Sequence, residues 1–222
     1  PDPEACAYDP PFYAESLRAF LDAVDLKEPL TIVAQSMGGM VATEFAVRFP
    51  RRVKRLVLVD SAGIDVPPPA LGRVLQAPVI GKALYMAVGG TKKALRDFLV
   101  NDVWHQKHVL DDALLDDMLR VQRQPGGKAA AYAALTRMVS PRVYKTFHAR
   151  FDQVKVPTHV LWGERDALFP LATCGRSIVD KIAGSKLYVI ADSGHEPPVE
   201  QPRAFLRSLT EAVTEAATEA GA

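Results

Sequence analysis

The stretch that most constrains this chain runs from Leu30 to Met40: Leu-Thr-Ile-Val-Ala-Gln-Ser-Met-Gly-Gly-Met. Leu30 to Ala34 is a short apolar run with β-branched residues, the pattern of a buried strand. From Met40 to Val47 the apolar positions recur at helical spacing. Only Gln35-Ser36-Met37-Gly38-Gly39 separates the two, so a strand must turn sharply into a helix at Ser36.

The same alternation returns later. Ahead of the turn, Phe12 to about Val24 has helical spacing, and residues 1–11 are proline-rich loop. Phe49-Pro50 stops the helix after the turn, and Arg55 to Asp60 is a second buried-type strand. Thr158 to Gly163 and Lys186 to Ile190 are the third and fourth strands, with a helix over about Leu171 to Ala183 between them. A last helix starts near Val199 and is expected to fray over Thr210 to Ala222. Beyond the proline cluster Pro67 to Pro69 the alternation breaks. Leu71 to Val88 (broken or kinked at Pro78), Lys92 to Val100, Leu110 to Gln122 and Lys128 to Val139 read as helices, punctuated by Gly89-Gly90, Pro125-Gly126-Gly127 and Pro141. The expected fold class is α/β, a mostly parallel sheet flanked by helices, with its core in residues 1–66 and 151–222. Residues 67–150 are the expected helical insertion, a lid over one end of the sheet.

Composition narrows the functions. The formal charge is +1 and the basic cluster Arg51-Arg52-Val53-Lys54-Arg55 is short, which argues against a nucleic-acid binder. No apolar run approaches the roughly 18 residues of a membrane helix. Cys6 and Cys174 are the only cysteines and have no metal-ligand spacing. A reducing, cytoplasmic setting is expected. With hydrophobic residues at 48% and 222 residues in all, a packed domain is within reach.

A strand, a sharp turn at Ser36 and a helix resemble the nucleophile elbow of the α/β-hydrolases, with Ala34 standing where the motif's first glycine is commonest. The chemistry accounts for the residue types. A serine hydroxyl is a poor nucleophile at neutral pH and needs an adjacent base and an electrostatic sink for the oxyanion. A tight turn pushes Ser36 outward, Gly38 is expected to relieve the crowding, and the helix N-terminus offers free N–H groups. The resemblance implies the Met37 N–H as one oxyanion donor.

Two downstream residues follow strand ends, where α/β folds place ligands. Asp166, in Leu161-Trp-Gly-Glu-Arg-Asp, resembles the family's catalytic acid, and His195, in Asp192-Ser-Gly-His-Glu-Pro-Pro, resembles its general base. The order serine, acid, histidine is the family's own. In that reading His195 takes the Ser36 proton while Asp166 orients the imidazole. Asp60 is a rival acid, since some members carry theirs after the preceding strand. Glu164 reads as a solvated loop charge. His105, His108 and His148 in the lid and His159 in a strand read as structural or surface residues, and no metal or cofactor is implied.

The resemblance covers nearly the whole chain but not the family's front, where several strands and a His-Gly loop supply the second oxyanion N–H. An N-terminally incomplete chain is therefore expected, with the elbow strand left as an exposed sheet edge prone to self-association. Losing one oxyanion donor typically costs about 10²–10³ in rate, so the chain alone is expected to be poorly active. The function implied is a serine hydrolase acting through an acyl-enzyme on a small, largely apolar substrate, at an ester-like, thioester or C–C bond. Leu75, Met86, Phe98, Trp104 and Met138 are the apolar lid residues available to it. A hydrolase-derived receptor for a small ligand and an inactive truncated hydrolase are the alternatives.

Overall fold

Proline placement sets where several helices begin. The computed structural model describes Asp2, residues 4–64 and residues 74–214. Helix α1 (Pro10–Ala23) starts on Pro10, with the Asp9 carboxylate accepting the Phe12 N–H at 2.9 Å as its N-cap. Strand β1 (Leu30–Gln35) runs directly into α2 (Met37–Arg48), so the helix begins one residue after Ser36 rather than at Met40. Strand β2 spans Val53–Val59.

The stretch between β2 and the next strand contains only helices among its described residues: α3 (Pro78–Val88), α4 (Lys92–Phe98), α5 (Asp112–Gln122), α6 (Gly127–Arg137) and α7 (Pro141–Phe151). The proline cluster and Leu71 lie outside the described residues. As expected, the helical stretch is broken ahead of Pro78 and two helices are separated at Pro141; each proline also opens the helix that follows, because proline at a first helical position forfeits only an N–H that has no partner there anyway. The α7 helix, capped by Ser140, was not anticipated as a separate element. A π-helical turn, Leu99–Val103, continues α4. Strand β3 (Thr158–Gly163), α8 (Gly175–Lys181), β4 (Lys186–Ile190), a single turn α9 (Pro197–Glu200) and α10 (Pro202–Thr214) complete the order. The last helix stays regular through Thr214, so no fraying occurs over Thr210 to Thr214; the rest of the stretch expected to fray lies outside the described residues.

The four strands form one parallel sheet in the order β1-β2-β3-β4. Alternate residues of β2 point to opposite layers, as the two-residue period of a strand requires. Leu56 and Leu58 join Phe45, Trp162, Phe151 and Ile178 in the main core, whereas Val57 and Val59 pack with Leu161, Ile190 and Phe205 of α10. Full burial of a ring such as Phe45 or Phe151 contributes about 1.5–3 kcal/mol. The α7 helix sends Tyr144, Phe147 and Phe151 into that main core and so anchors the helical stretch at its C-terminal end. Among the described strands β1 is one edge of the sheet and β4 the other. In β1, Leu30, Ile32 and Ala34 face the main core, while Val33 on the opposite face is 45% exposed. Among the described residues no helix is long and apolar enough to cross a membrane.

Candidate active site

Three of the four strands are followed within two residues by a non-glycine residue with positive φ: Ser36 after β1, Asp60 after β2 and Asp192 after β4. Such conformations cost roughly 1–3 kcal/mol and persist only where their surroundings hold them. Ser36 takes φ +52° and ψ −124°. Its N–H donates to the Val59 carbonyl at 2.9 Å, and its own carbonyl accepts from Gly39 (2.9 Å) and Ala62 (3.0 Å). The bend is thereby tied to the end of β2 and to its own helix.

The glycine that relieves crowding is Gly39, not Gly38. A Cβ at Gly39 would stand 2.1 Å from Ser61 Oγ, whereas one at Gly38 would meet only Ala34 Cβ, at an ordinary 4.0 Å. The pressure comes from the loop after β2, a neighbour that local spacing does not reveal. Met37 opens α2, and the first-turn N–H groups of a helix have no acceptor within it.

Asp166 lies in the loop after β3 and is 4% exposed. Its Oδ1 accepts the N–H groups of Leu168 and Phe169, both at 2.9 Å, which fixes the carboxylate in a local turn. Its Oδ2 meets His195 Nδ1 at 2.8 Å. On the other side of the ring, His195 Nε2 stands 2.9 Å from Ser36 Oγ. One tautomer satisfies both contacts: Nδ1–H donates to Asp166, and Nε2 accepts from the Ser36 hydroxyl. The ring is 3% exposed, and Phe169 packs edge-on against it at 5.3 Å.

The backbone of His195 is held as firmly as its ring. Its N–H donates to the Val103 carbonyl at 2.9 Å, at the end of the π-helical turn. Its carbonyl accepts from Gln35 Nε2 at 2.8 Å, and the same amide nitrogen reaches Glu196 Oε2 at 2.9 Å. Burial, opposed by that Gln35 contact, pushes the Glu196 carboxyl above its usual range. Glu200 is buried and binds three N–H groups: His105 at 2.8 Å, Gln106 at 2.7 Å and Glu196 at 3.1 Å. It therefore joins the helical stretch to the histidine loop. Gln35 and Glu200 escaped the sequence reading. The Glu200 partner His105 is 95 positions away, and the only local signal was an acid in a proline-led turn.

Of the two acids weighed from sequence, Asp166 takes the imidazole. Asp60 lies beside it, fully buried, its Oδ1 accepting the Gly163 N–H at 2.9 Å. Glu164 is an exposed loop charge near Arg165. His105 pairs with Asp192 at 3.0 Å, His148 faces the Tyr144 carbonyl, and His159 meets the Tyr188 hydroxyl. Among the apolar candidates, Met86 and Phe98 are exposed, Met138 is part of the main core, and Trp104 is buried in a cluster with Leu99, Leu110 and Leu115.

The sequence profile described as "Alpha/beta hydrolase family" matches residues 1–208. This chain belongs to the α/β-hydrolase family. Among the relatives of this α/β-hydrolase is a 2-hydroxy-6-oxononadienedioate/2-hydroxy-6-oxononatrienedioate hydrolase of Pseudomonas putida, 30% identical over 198 residues. That match covers 87% of this chain and 65% of the relative. An uncharacterised protein of Mycobacterium tuberculosis is 26% identical, covering 87% of this chain and 58% of the relative. The chain thus spans less than two thirds of the length of these relatives. The solved structure of a meta-cleavage product hydrolase from Pseudomonas fluorescens, in a serine-to-alanine form complexed with acetates, superposes with a TM-score of 0.76. It is 20% identical, with 95% of this chain and 73% of that one covered, and shows the shared fold.

Proposed function

We propose that this α/β-hydrolase is a serine hydrolase that cleaves an ester-like, thioester or C–C bond of a small, largely apolar substrate through an acyl-enzyme. The continuous contact from Ser36 Oγ through His195 to Asp166, at 2.9 and 2.8 Å on a strained bend, carries this reading. Ser36 Oγ attacks the acyl carbonyl as its proton passes to His195 Nε2, and the Met37 N–H stabilises the oxyanion. The imidazolium, held by Asp166, then protonates the departing alkoxide, thiolate or carbon, and water later releases the acid by the reverse path. Relatives named as oxononadienedioate hydrolases support including the C–C bond class. The helices between β2 and β3 act as the lid, a role supported by the Val103 and Glu200 contacts to the histidine loop.

A fluorophosphonate probe tests the site directly. The expected result is a single adduct on the Ser36 peptide, slowed by an excess of aryl ester, with turnover of short aryl esters or of a vinylogous oxo-dienoate. Tight ligand binding with neither labelling nor turnover would favour a receptor and overturn the proposal.

We propose that the chain also self-associates through its sheet. Strand β1 presents an outer edge that no other described strand covers, with Val33 exposed beside it. A solution mass that rises with concentration is expected, and Val33→Lys should lower it. A monomer at all concentrations in light scattering would rule the edge contact out.

A further inference from the structure

The mechanism above gives Asp60 no step, yet this residue ends β2 fully buried beside the reacting groups. Its Oδ1 is satisfied by the Gly163 N–H, but Oδ2, equally buried, has no donor among the described residues. One ligand atom each of Asp60, Asp166 and His195 lie within 4.8 Å of one another. Two carboxylates so close and cut off from water cannot both stay ionised beside a single imidazole. The donors decide where the proton sits. Asp166 receives two backbone N–H groups and His195 Nδ1–H, while Asp60 receives only Gly163. Charge therefore collects on Asp166. A proton on Asp60 Oδ2 converts an orphaned acceptor into a donor with an acceptor at hand.

We infer that Asp60 is a positioning residue, a neutral carboxylic acid whose Oδ2–H hydrogen-bonds Asp166 and keeps that carboxylate in line with His195. The electrostatic surroundings agree. Burial pushes the Asp60 carboxyl well above its usual range, and the Asp166 charge and, more weakly, Glu196 push the same way; only the Gly163 N–H opposes them. The catalytic half of this inference rests on the Ser36–His195–Asp166 reading, whereas the buried proton stands without it.

Asp60→Asn is the informative variant, since its amide can accept from Gly163 and donate to Asp166. Infrared spectra of the whole chain at neutral pH should show the carbonyl band of a protonated carboxyl, shifted in D2O and lost in Asp60→Asn. A band that is missing from the unsubstituted protein, or that survives in the variant, overturns the inference. In ester turnover Asp60→Asn should hold kcat/KM within about threefold, with the acidic limb of its pH profile unmoved. An ionised Asp60 would give a different result: removing its charge would move that limb to lower pH. Asp60→Ala strips Asp166 of a donor. It should lower kcat by about tenfold to a hundredfold with KM little changed, and shift the acidic limb upward, because a less shared Asp166 charge holds the imidazolium harder. Equal behaviour of the Asn and Ala variants overturns the proposal. If the unsubstituted chain turns nothing over, the proposed function fails while the infrared band still reports on the proton.

Stability offers a second check that is independent of turnover. Folded Asp60 keeps its proton where the unfolded chain has lost it. Its contribution is therefore present below the usual Asp range and declines as pH rises from there toward the folded titration point. Asp60→Asn, which cannot titrate, should lessen that decline in denaturant unfolding, and an unchanged decline counts against the buried acid.

Discussion

Ser36→Ala is expected to abolish probe labelling and to cut ester turnover by about 10⁴–10⁶-fold. The loss should be chemical rather than structural. Alanine carries a Cβ just as serine does, so the strained bend at φ +52° and its backbone contacts to Val59, Gly39 and Ala62 are unchanged. Among the described residues, neither nearby serine hydroxyl is placed to stand in. Ser61 and Ser193 are both fully buried, and each hydroxyl turns to an adjacent backbone carbonyl, Ala62 for the first and Gly194 for the second. His195→Ala should cost nearly as much, and combining the two should add little, because a nucleophile and its base act as one unit. Circular dichroism establishes that both variants fold, and intact-mass spectrometry after labelling gives the decisive reading. Labelling that persists in Ser36→Ala would assign the chemistry elsewhere.

The sequence revealed those elements whose cause is local. Ser36, Asp166 and His195 were legible because each follows a strand recognisable from its own apolar run, and each sits in a short loop whose residue types suit one role. The sheet was legible for the same reason: four β-branched runs separated by helical spacing leave a parallel arrangement as the natural outcome. The interruptions at Pro78 and Pro141 were legible too, but not that each proline opens the following helix, a position for which its fixed φ is already suited. What stayed hidden depends on chain segments that meet only after folding. Gly39 is required by Ser61 from another strand end, and Glu200 bonds N–H groups of the helical stretch. Asp60 was visible as an acid, but as a competitor of Asp166. Only the packed structure, which puts both carboxyls beside one imidazole, lets the two be complementary.

Gly163→Ala should produce the other large effect, a fall in turnover of about 100-fold in a protein that still folds. Gly163 is the last residue of β3 and pairs with Ile190 of β4. A Cβ there would lie 1.9 Å from the Gly194 carbonyl oxygen and 2.8 Å from that of Ser193. Both are backbone atoms of the loop that carries His195, so no side chain can swing aside. The loop would have to retreat by about 1.5 Å to regain ordinary contact. Its anchors oppose that retreat: the Ser193 carbonyl accepts the Arg165 N–H at 2.8 Å, Val103 holds the His195 N–H, and Gln35 holds its carbonyl. The strain should lower stability by about 1–3 kcal/mol. The greater loss falls on the 2.9 Å contact between His195 Nε2 and Ser36 Oγ, which proton transfer cannot do without. Gly184→Ala supplies the contrast. Its φ of +74° makes alanine strained, yet no atom lies within 4 Å of the new methyl group. It should therefore cost about 1–2 kcal/mol and leave kcat alone. Denaturant unfolding and ester kinetics on the two variants separate strain from misplacement. Full activity in Gly163→Ala would mean that the histidine loop tolerates displacement, and that the tight framing of His195 is not what the reaction depends on.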